Sequence, residues 1–331
     1  MSTNSQLSAE QKQQALIIQL LDQRDSKACW QSIIEYLGSM VYQADPASLH
    51  RATVNLDRFL AESAWNLWQD YPASVTTTAR TLQAWWAMQA PGGCAVLVLD
   101  ALSLRELPLI LQYGKEQGIE PLQAVVTGSE IPTETDAFAH ALGASSRASL
   151  KNNGTGSSFI LGGAAAYSDV LSAPFEDCLG EIPPLKNLVV WHTWLDRQIH
   201  EHRREPDELI RLVHKELSSP GFWQLLQRLR QGRKLIVTSD HGYANCRLFA
   251  SSETNGPAKE IMARIFGQTR SCPAQLDFPG GFMPPLALTM NNHHVVLGQR
   301  RWTVAGGYPH MTHGGLSLLE ALVPFIEYAE V

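Results

Sequence analysis

No apolar run in this sequence approaches the length of a membrane-spanning helix, and its first residues, MSTNSQLSAEQKQQ, are polar. Neither a membrane anchor nor a secretion signal is expected, which leaves the cytoplasm as the default location. Cysteine is scarce: Cys29, Cys94, Cys178, Cys246 and Cys272 are odd in number, scattered and without CxxC spacing. That usage fits free thiols in a reducing compartment rather than a disulfide framework. Positive charge is not in excess either. With 26 Lys and Arg against 32 Asp and Glu, the formal charge of −6 argues against a protein that coats nucleic acid through bulk electrostatics. Local basic clusters at His202–Arg204, Arg228–Lys234 and Arg300–Arg301 read first as solvated faces and only weakly as tracks for a polyanion.

What is present is an ordinary globular composition, 44% apolar and 18% charged, in 331 residues. The length suits one large α/β domain with additions or two smaller domains. From residue 9 to 90 apolar residues recur at helical spacing, as in QALIIQLLDQ and LDRFLAESAWNLWQ, so this part is expected to be helical. Its tryptophans (Trp30, Trp65, Trp68, Trp85, Trp86) are expected to pack between helices. Pro91-Gly92-Gly93 breaks the pattern and divides a helical N-terminal region, 1–91, from a second domain, 92–331. Beyond it short apolar strands (CAVLVLD, LQAVVTG, SSFILGG, NLVVWH, KLIVTSD) alternate with helices expected from Ser103, Thr135 and Pro206. Strands without polar alternation indicate a mostly parallel sheet sandwiched by helices. Asn152 to Ser158 reads as a flexible loop, and Ala244 to Pro285 as loops with one helix near Ala258 to Phe266.

Three of those apolar segments run into groups that bind metals: AVLVLD at Asp100, NLVVWHTWLD at Asp196, and KLIVTSDHGY at Asp240-His241. Asp and Gly are also ordinary turn residues. In a parallel sheet, however, such ends converge on one edge, where α/β proteins bind ligands. Asp196 and His200 are four apart, hence on one helix face, although such a pair is more often only a surface contact; His202 points elsewhere. In IPTETDAFAHAL, Thr133 reads as an N-cap and Thr135 as a first-turn residue, where free N–H groups favour a phosphate and a deprotonated hydroxyl. Thr135 is therefore preferred as nucleophile. In YPHMTHGGLSLLEALVPF, His313 precedes a Gly-Gly turn, with His310 in reserve. Asp100, Asp196, His200, Asp240, His241 and His313 make an oxygen and imidazole set large enough for two divalent ions, and one that suits catalytic zinc, with manganese as the alternative.

The order of these motifs resembles the alkaline phosphatase superfamily, and specifically its PglZ-domain family. The pattern runs from an Asp after the first strand through Pro-Thr-x-Thr, Asp-x-x-x-His and Ser-Asp-His-Gly to a late His-Gly-Gly, over about Cys94 to Tyr328. The resemblance implies an alkaline-phosphatase-like sheet and two divalent ions, Zn2+ ahead of Mn2+: Asp100, Thr135, Asp240 and His241 hold one, and Asp196, His200 and His313 the other. It implies attack by Thr135 and a phosphothreonine intermediate. The expected activity is that of a metal-dependent phosphodiesterase or nuclease acting on nucleotides or nucleic acid, with a place in a bacterial anti-phage system such as BREX and its protein partners. A phosphomonoesterase and a scaffold subunit with a non-catalytic metal site are the alternatives. Many relatives carry Arg three residues after the first Asp; here that position is Ser103, with Arg105 nearby. No Cys/Ser-x-Pro-x-Arg segment occurs, which speaks against a sulfatase.

Overall fold

The computed structural model describes residues 8–43, 46–88, 93–162, 166–248, 256–275 and 278–331. Five helices come first: α1 (Ala9–Asp22), α2 (Ser26–Gln43), α3 (Pro46–Glu62), α4 (Asn66–Ser74) and α5 (Thr78–Met88). The chain enters α1 through a capping box, with Gln11 N–H on Ser8 Oγ and Ser8 N–H on the Gln11 side chain. Trp30 lies edge-on to Trp68 and Tyr71 with ring centroids 4.8 and 5.0 Å away, all three buried, so these rings serve the interior. Trp85 is buried as well. Most of the Pro91-Gly92-Gly93 boundary lies outside the described residues.

Next come β1 (Cys94–Leu99), α6 (Leu107–Glu116), β2 (Gln123–Gly128), α7 (Thr135–Ala141), β3 (Ala166–Leu171), β4 (Asn187–His192), α8 (Trp194–Glu201), α9 (Pro206–Leu217), α10 (Pro220–Arg230) and β5 (Lys234–Thr238). The last third holds β6 (Ala244–Asn245), α11 (Pro257–Phe266), β7 (Ser271–Pro273), β8 (Ala287–Met290), β9 (His293–Val296), β10 (Met311–Thr312), α12 (Leu318–Ala321) and β11 (Leu322–Tyr328). The main sheet has the order β2-β11-β5-β1-β4-β3. Strands β5, β1, β4 and β3 pair in parallel, and β11 runs antiparallel to both β5 and β2. Alternate residues of the central strands serve two cores. Ala95, Leu97, Leu188, Val190, Leu235 and Val237 face one layer of helices, while Val96, Val98, Val189, Trp191 and Ile236 face the other. The N-terminal helices contribute Trp30, Leu37, Leu60 and Trp68 to the first of these cores, continuous with the sheet.

The architecture is the expected mostly parallel sheet between helices with a helical N-terminal region, but several elements differ from the sequence reading. SSFILGG forms no strand over its described residues: Phe159 N–H and Gly162 N–H close successive turns onto Gly156 and Phe159 carbonyls. The edge strand is instead AYSDVL, whose Asp169 and Ser168 break an apolar pattern yet find partners in the Asn152 N–H and the Leu150 carbonyl. The helix expected from Ser103 begins at Leu107. Ala101 takes a left-handed φ of 63°, and the Glu106 carboxylate accepts the Ser103 N–H, so the chain turns before it coils. Thr133 is not the cap of α7; Glu134 occupies that position, and Thr135 is its first helical residue.

One reversed strand sets where the late part of the chain meets the sheet. Because β11 is antiparallel to its neighbours, Leu322 lies opposite Gly128 at the carboxyl edge. The loop carrying His313 and the helix α12 therefore enter the sheet from the same edge at which Asp100 and Asp240 leave it.

Candidate metal centre

Asp100 is fully buried at the end of β1, where its N–H is bonded to the His192 carbonyl of β4. Its Oδ2 accepts from Trp191 Nε1 at 3.2 Å and pairs with the Arg147 guanidinium. Asp240, also buried, accepts the Ala101 N–H at 3.0 Å through Oδ1. His241 Nδ1 donates to the Gly242 carbonyl at 2.9 Å; a carbonyl can only accept, so Nε2 presents its lone pair. That lone pair lies 3.3 Å from Asp240 Oδ2, an oxygen that makes no hydrogen bond. Two acceptors at that separation repel unless a proton or a metal cation sits between them.

The second group repeats the pattern. On α8, Asp196 and His200 share a face as their spacing requires, and Asp196 Oδ1 lies 3.3 Å from His200 Nε2. It is 3.4 Å from His313 Nε2 as well, without hydrogen-bond geometry to either ring. The ligand atoms of Asp100, Asp240 and His241 all lie within 4.8 Å of one another, and so do those of Asp196, His200 and His313. The groups are adjacent: the His241 and His313 rings stack with centroids 4.3 Å apart. Thr135 Oγ1 is 3.3 Å from His241 Nε2 and 3.4 Å from Asp100 Oδ1. An open cleft of about 360 Å3 is walled by Thr135, Ser146, Arg147, Asp196, His200 and His313.

The electrostatics favour a cation. Burial, then Asp240 and Asp196, push the Asp100 carboxyl up to about 8. Asp240 is raised by burial and by Asp196. Burial also raises Asp196, but His200 and His313 outweigh it and hold this carboxyl well below its ordinary range. Burial and the neighbouring His313 lower His241 to about 4, keeping that ring neutral. For His313 burial works against protonation, yet contact with Asp196 wins and lifts it to about 9, so coordination there must expel a proton. Carboxylate oxygens without hydrogen bonds, facing imidazole nitrogens in a thiolate-free set, fit divalent ions of the zinc or manganese type.

The remaining candidates separate cleanly. His202 pairs with Glu205 at 3.3 Å, and His310 Nδ1 engages the Arg204 carbonyl at 3.2 Å. Ser103 donates to the Leu319 carbonyl, and Arg105 lies over the Tyr243 ring, 4.6 Å from its centroid, and binds the Tyr243 carbonyl. Arg228, Arg230, Arg233 and Arg300 hold backbone carbonyls rather than forming a track. Arg147 was missed by the sequence reading. It stands 47 residues from Asp100 in a short 3-10 helix, Arg147–Asn153, and no local pattern marks it. The Gly-Gly turn after His313 is needed as expected: Gly314 has φ +102°, and a Cβ at Gly315 would lie 2.5 Å from Arg270 Nε.

Comparison of the sequence with protein-family models and with curated proteins finds no match. Among solved structures the chain is similar to murine ectonucleotide pyrophosphatase/phosphodiesterase 5, with 13% identity and a TM-score of 0.42 over 72% of this chain and 88% of that one. An inactive form of that protein in complex with AMP gives 11% identity and a TM-score of 0.41, with the same shares covered, 72% and 88%. Phosphonoacetate hydrolase from Sinorhizobium meliloti 1021, in complex with phosphonoacetate, gives 12% identity and a TM-score of 0.38 over 72% of this chain and 90% of its own.

Proposed function

We propose that this chain is a metal-dependent phosphodiesterase of the alkaline phosphatase superfamily, in its PglZ-domain family, with Thr135 as nucleophile and the catalytic domain at 92–331 behind a helical region at 1–91. The observation that carries the reading is one hydroxyl, Thr135 Oγ1, in contact with Asp100 and His241 and on the wall of the same cleft as Asp196, His200 and His313. Asp100, Thr135, Asp240 and His241 would hold one ion, and Asp196, His200 and His313 the other. Two such ions, when bound, would supply Lewis acidity, lowering the pKa of the Thr135 hydroxyl and offsetting the negative charge of a phosphoryl group.

In the chain itself, Thr135 oxygen attacks phosphorus, the bond to the leaving oxygen breaks, and the departing alcohol takes up a proton. Water then hydrolyses the phosphothreonine, returning the hydroxyl and releasing a phosphomonoester. Arg147, the only Arg or Lys among the described residues lining the cleft, orients the phosphoryl group. Glu134 and Asp136 line the cleft too, and their carboxylates disfavour a dianionic monoester more than a monoanionic diester. Nucleotide or nucleic-acid substrates, a role in bacterial anti-phage defence and partner proteins of such a system belong to the same proposal through the sequence resemblance.

The test combines metal content with hydrolysis of matched chromogenic phosphate di- and monoesters. The expected result is about two zinc or manganese ions per chain, by the donor count, with faster diester cleavage that a chelator abolishes and metal restores. Thr135→Ala should keep the fold and lose roughly 10³-fold or more of the activity, the scale of losing a nucleophile. Full activity in that variant sinks the assignment of Thr135.

A further inference from the structure

Thr133 takes no part in that chemistry, yet it is fully buried and makes two hydrogen bonds to one turn. Its hydroxyl donates to the Gly315 carbonyl at 2.9 Å and accepts the Gly314 N–H at 3.1 Å. Two residues after it stands Thr135; the residue before Gly314 is His313. We propose that Thr133 is a positioning residue that fastens the nucleophile segment to the His313 loop and so sets the His313 ring against Asp196, an inference that rests on the two-ion reading.

The need for such a fastener is visible in the two stacked histidines. His241 is oriented through Nδ1, which donates to the Gly242 carbonyl. His313 Nδ1 has no hydrogen-bond partner, so nothing on that nitrogen fixes the ring. Apart from its packing against the His241 and His200 rings, its placement rests on the main chain, and the main chain beyond it is Gly314-Gly315, the least restricted dipeptide available. Thr133 restrains both glycines through successive backbone groups, which fixes the orientation of the turn as well as its position. The Glu320 carboxylate holds the Gly315 N–H from the other side at 2.8 Å. A valine at 133 keeps the shape of threonine, removes both bonds and strands the buried Gly314 N–H.

The experiment is a zinc titration of chelator-stripped protein against a competing chromogenic chelator, in the wild type, T133V, T133S and H313A. T133V should weaken one ion only, the same one that H313A weakens, by about 10- to 100-fold, the usual effect of removing a group that orients a metal ligand. T133S, which retains the hydroxyl, should restore it. A T133V titration identical to that of the wild type overturns the proposal, and so does equal weakening of both ions. Should T133V fail to fold, T133A takes its place, leaving space instead of a buried methyl. If the wild type takes up no zinc, the two-ion reading falls, and the histidine Cε1–H signals decide the positioning role without metal. A His313 signal that shifts or broadens in T133V, beside an unchanged His241 signal, supports it; an unchanged His313 signal overturns it.

Discussion

Arg147 carries the sharpest consequence at the scale of single residues. It pairs with a carboxylate that burial and like charge push upward, and among the described residues it is the one guanidinium on a cleft wall whose carboxylates are Glu134, Asp136 and Asp196. Arg147→Ala should lower kcat/KM for a diester by about 10- to 100-fold, the value of one charge-assisted contact to a phosphoryl oxygen. Arg147→Lys should recover only part of it, because a point charge does not reproduce the bidentate fork. Steady-state kinetics on one diester with the three proteins check this, and an unimpaired R147A excludes the contact. The same scale explains why neighbouring basic residues do nothing comparable. Arg233 is buried, and its Nε, Nη1 and Nη2 each donate to a carbonyl, of Leu229, Leu185 and Arg228, so it is held inside the fold rather than offered to an anion.

Among the elements, α12 matters out of proportion to its four residues. Leu319 and Ala321 carbonyls accept from Ser103 Oγ and Ser129 N–H, and the Glu320 carbonyl accepts the Gly242 N–H beside His241. The Glu320 side chain meets the Arg270 guanidinium through two bonds of 2.8 and 3.0 Å, both residues having no solvent exposure. Removing one partner of such a pair leaves an uncompensated buried charge, so Glu320→Ala should cost about 3–5 kcal/mol of unfolding free energy. Urea denaturation measures it; a loss below about 1 kcal/mol, typical of an exposed pair, would contradict the burial of these two side chains. The strand that follows it, β11, was not among those expected from the sequence, although ALVPFI is apolar. That Glu320 is the anchor was not legible either, since its partner lies 50 residues away. The edge strand Ala166–Leu171 was passed over for a related reason. Its polar Ser168 and Asp169 bond to Leu150 and Asn152 of an adjoining short helix, and periodicity alone cannot register such partners.

Over the whole molecule, the N-terminal helices and the site loop are joined by one buried carboxylate. Asp57 of α3 accepts the Leu318 N–H and the Gln299 side-chain N–H, each at 2.7 Å. Burial is the largest influence on it, and its carboxyl rises to about 7 from the ordinary 3.8. Folded chains therefore bind a proton at Asp57 that unfolded chains release between about pH 4 and pH 7. Stability from this group is complete below pH 4 and falls as pH rises through that window, by roughly 4 kcal/mol in all. Asp57→Asn should remove this slope, since Gln299, whose Oε1 has no partner, can turn its amide to accept from the asparagine. Urea unfolding of both proteins from pH 4 to pH 8 checks the sign, and parallel curves would refute it.

The sequence by itself determined the layers and the chemistry on offer. Unbroken apolar strands had to be buried on both faces, and Asp100, Asp240 and His241 had to leave them at one edge because parallel strands end together. Helical spacing alone put Asp196 and His200 side by side. What only the tertiary structure decided is which distant groups meet. The reversed β11 brings His313 to Asp196, a short helix brings Arg147 to Asp100, and Thr133 turns from a cap into a tie between loops. Local patterns encode the period and face of each element. Contacts between residues tens to hundreds of positions apart depend on the direction of one strand and the fit of one core, which no short stretch of chain contains.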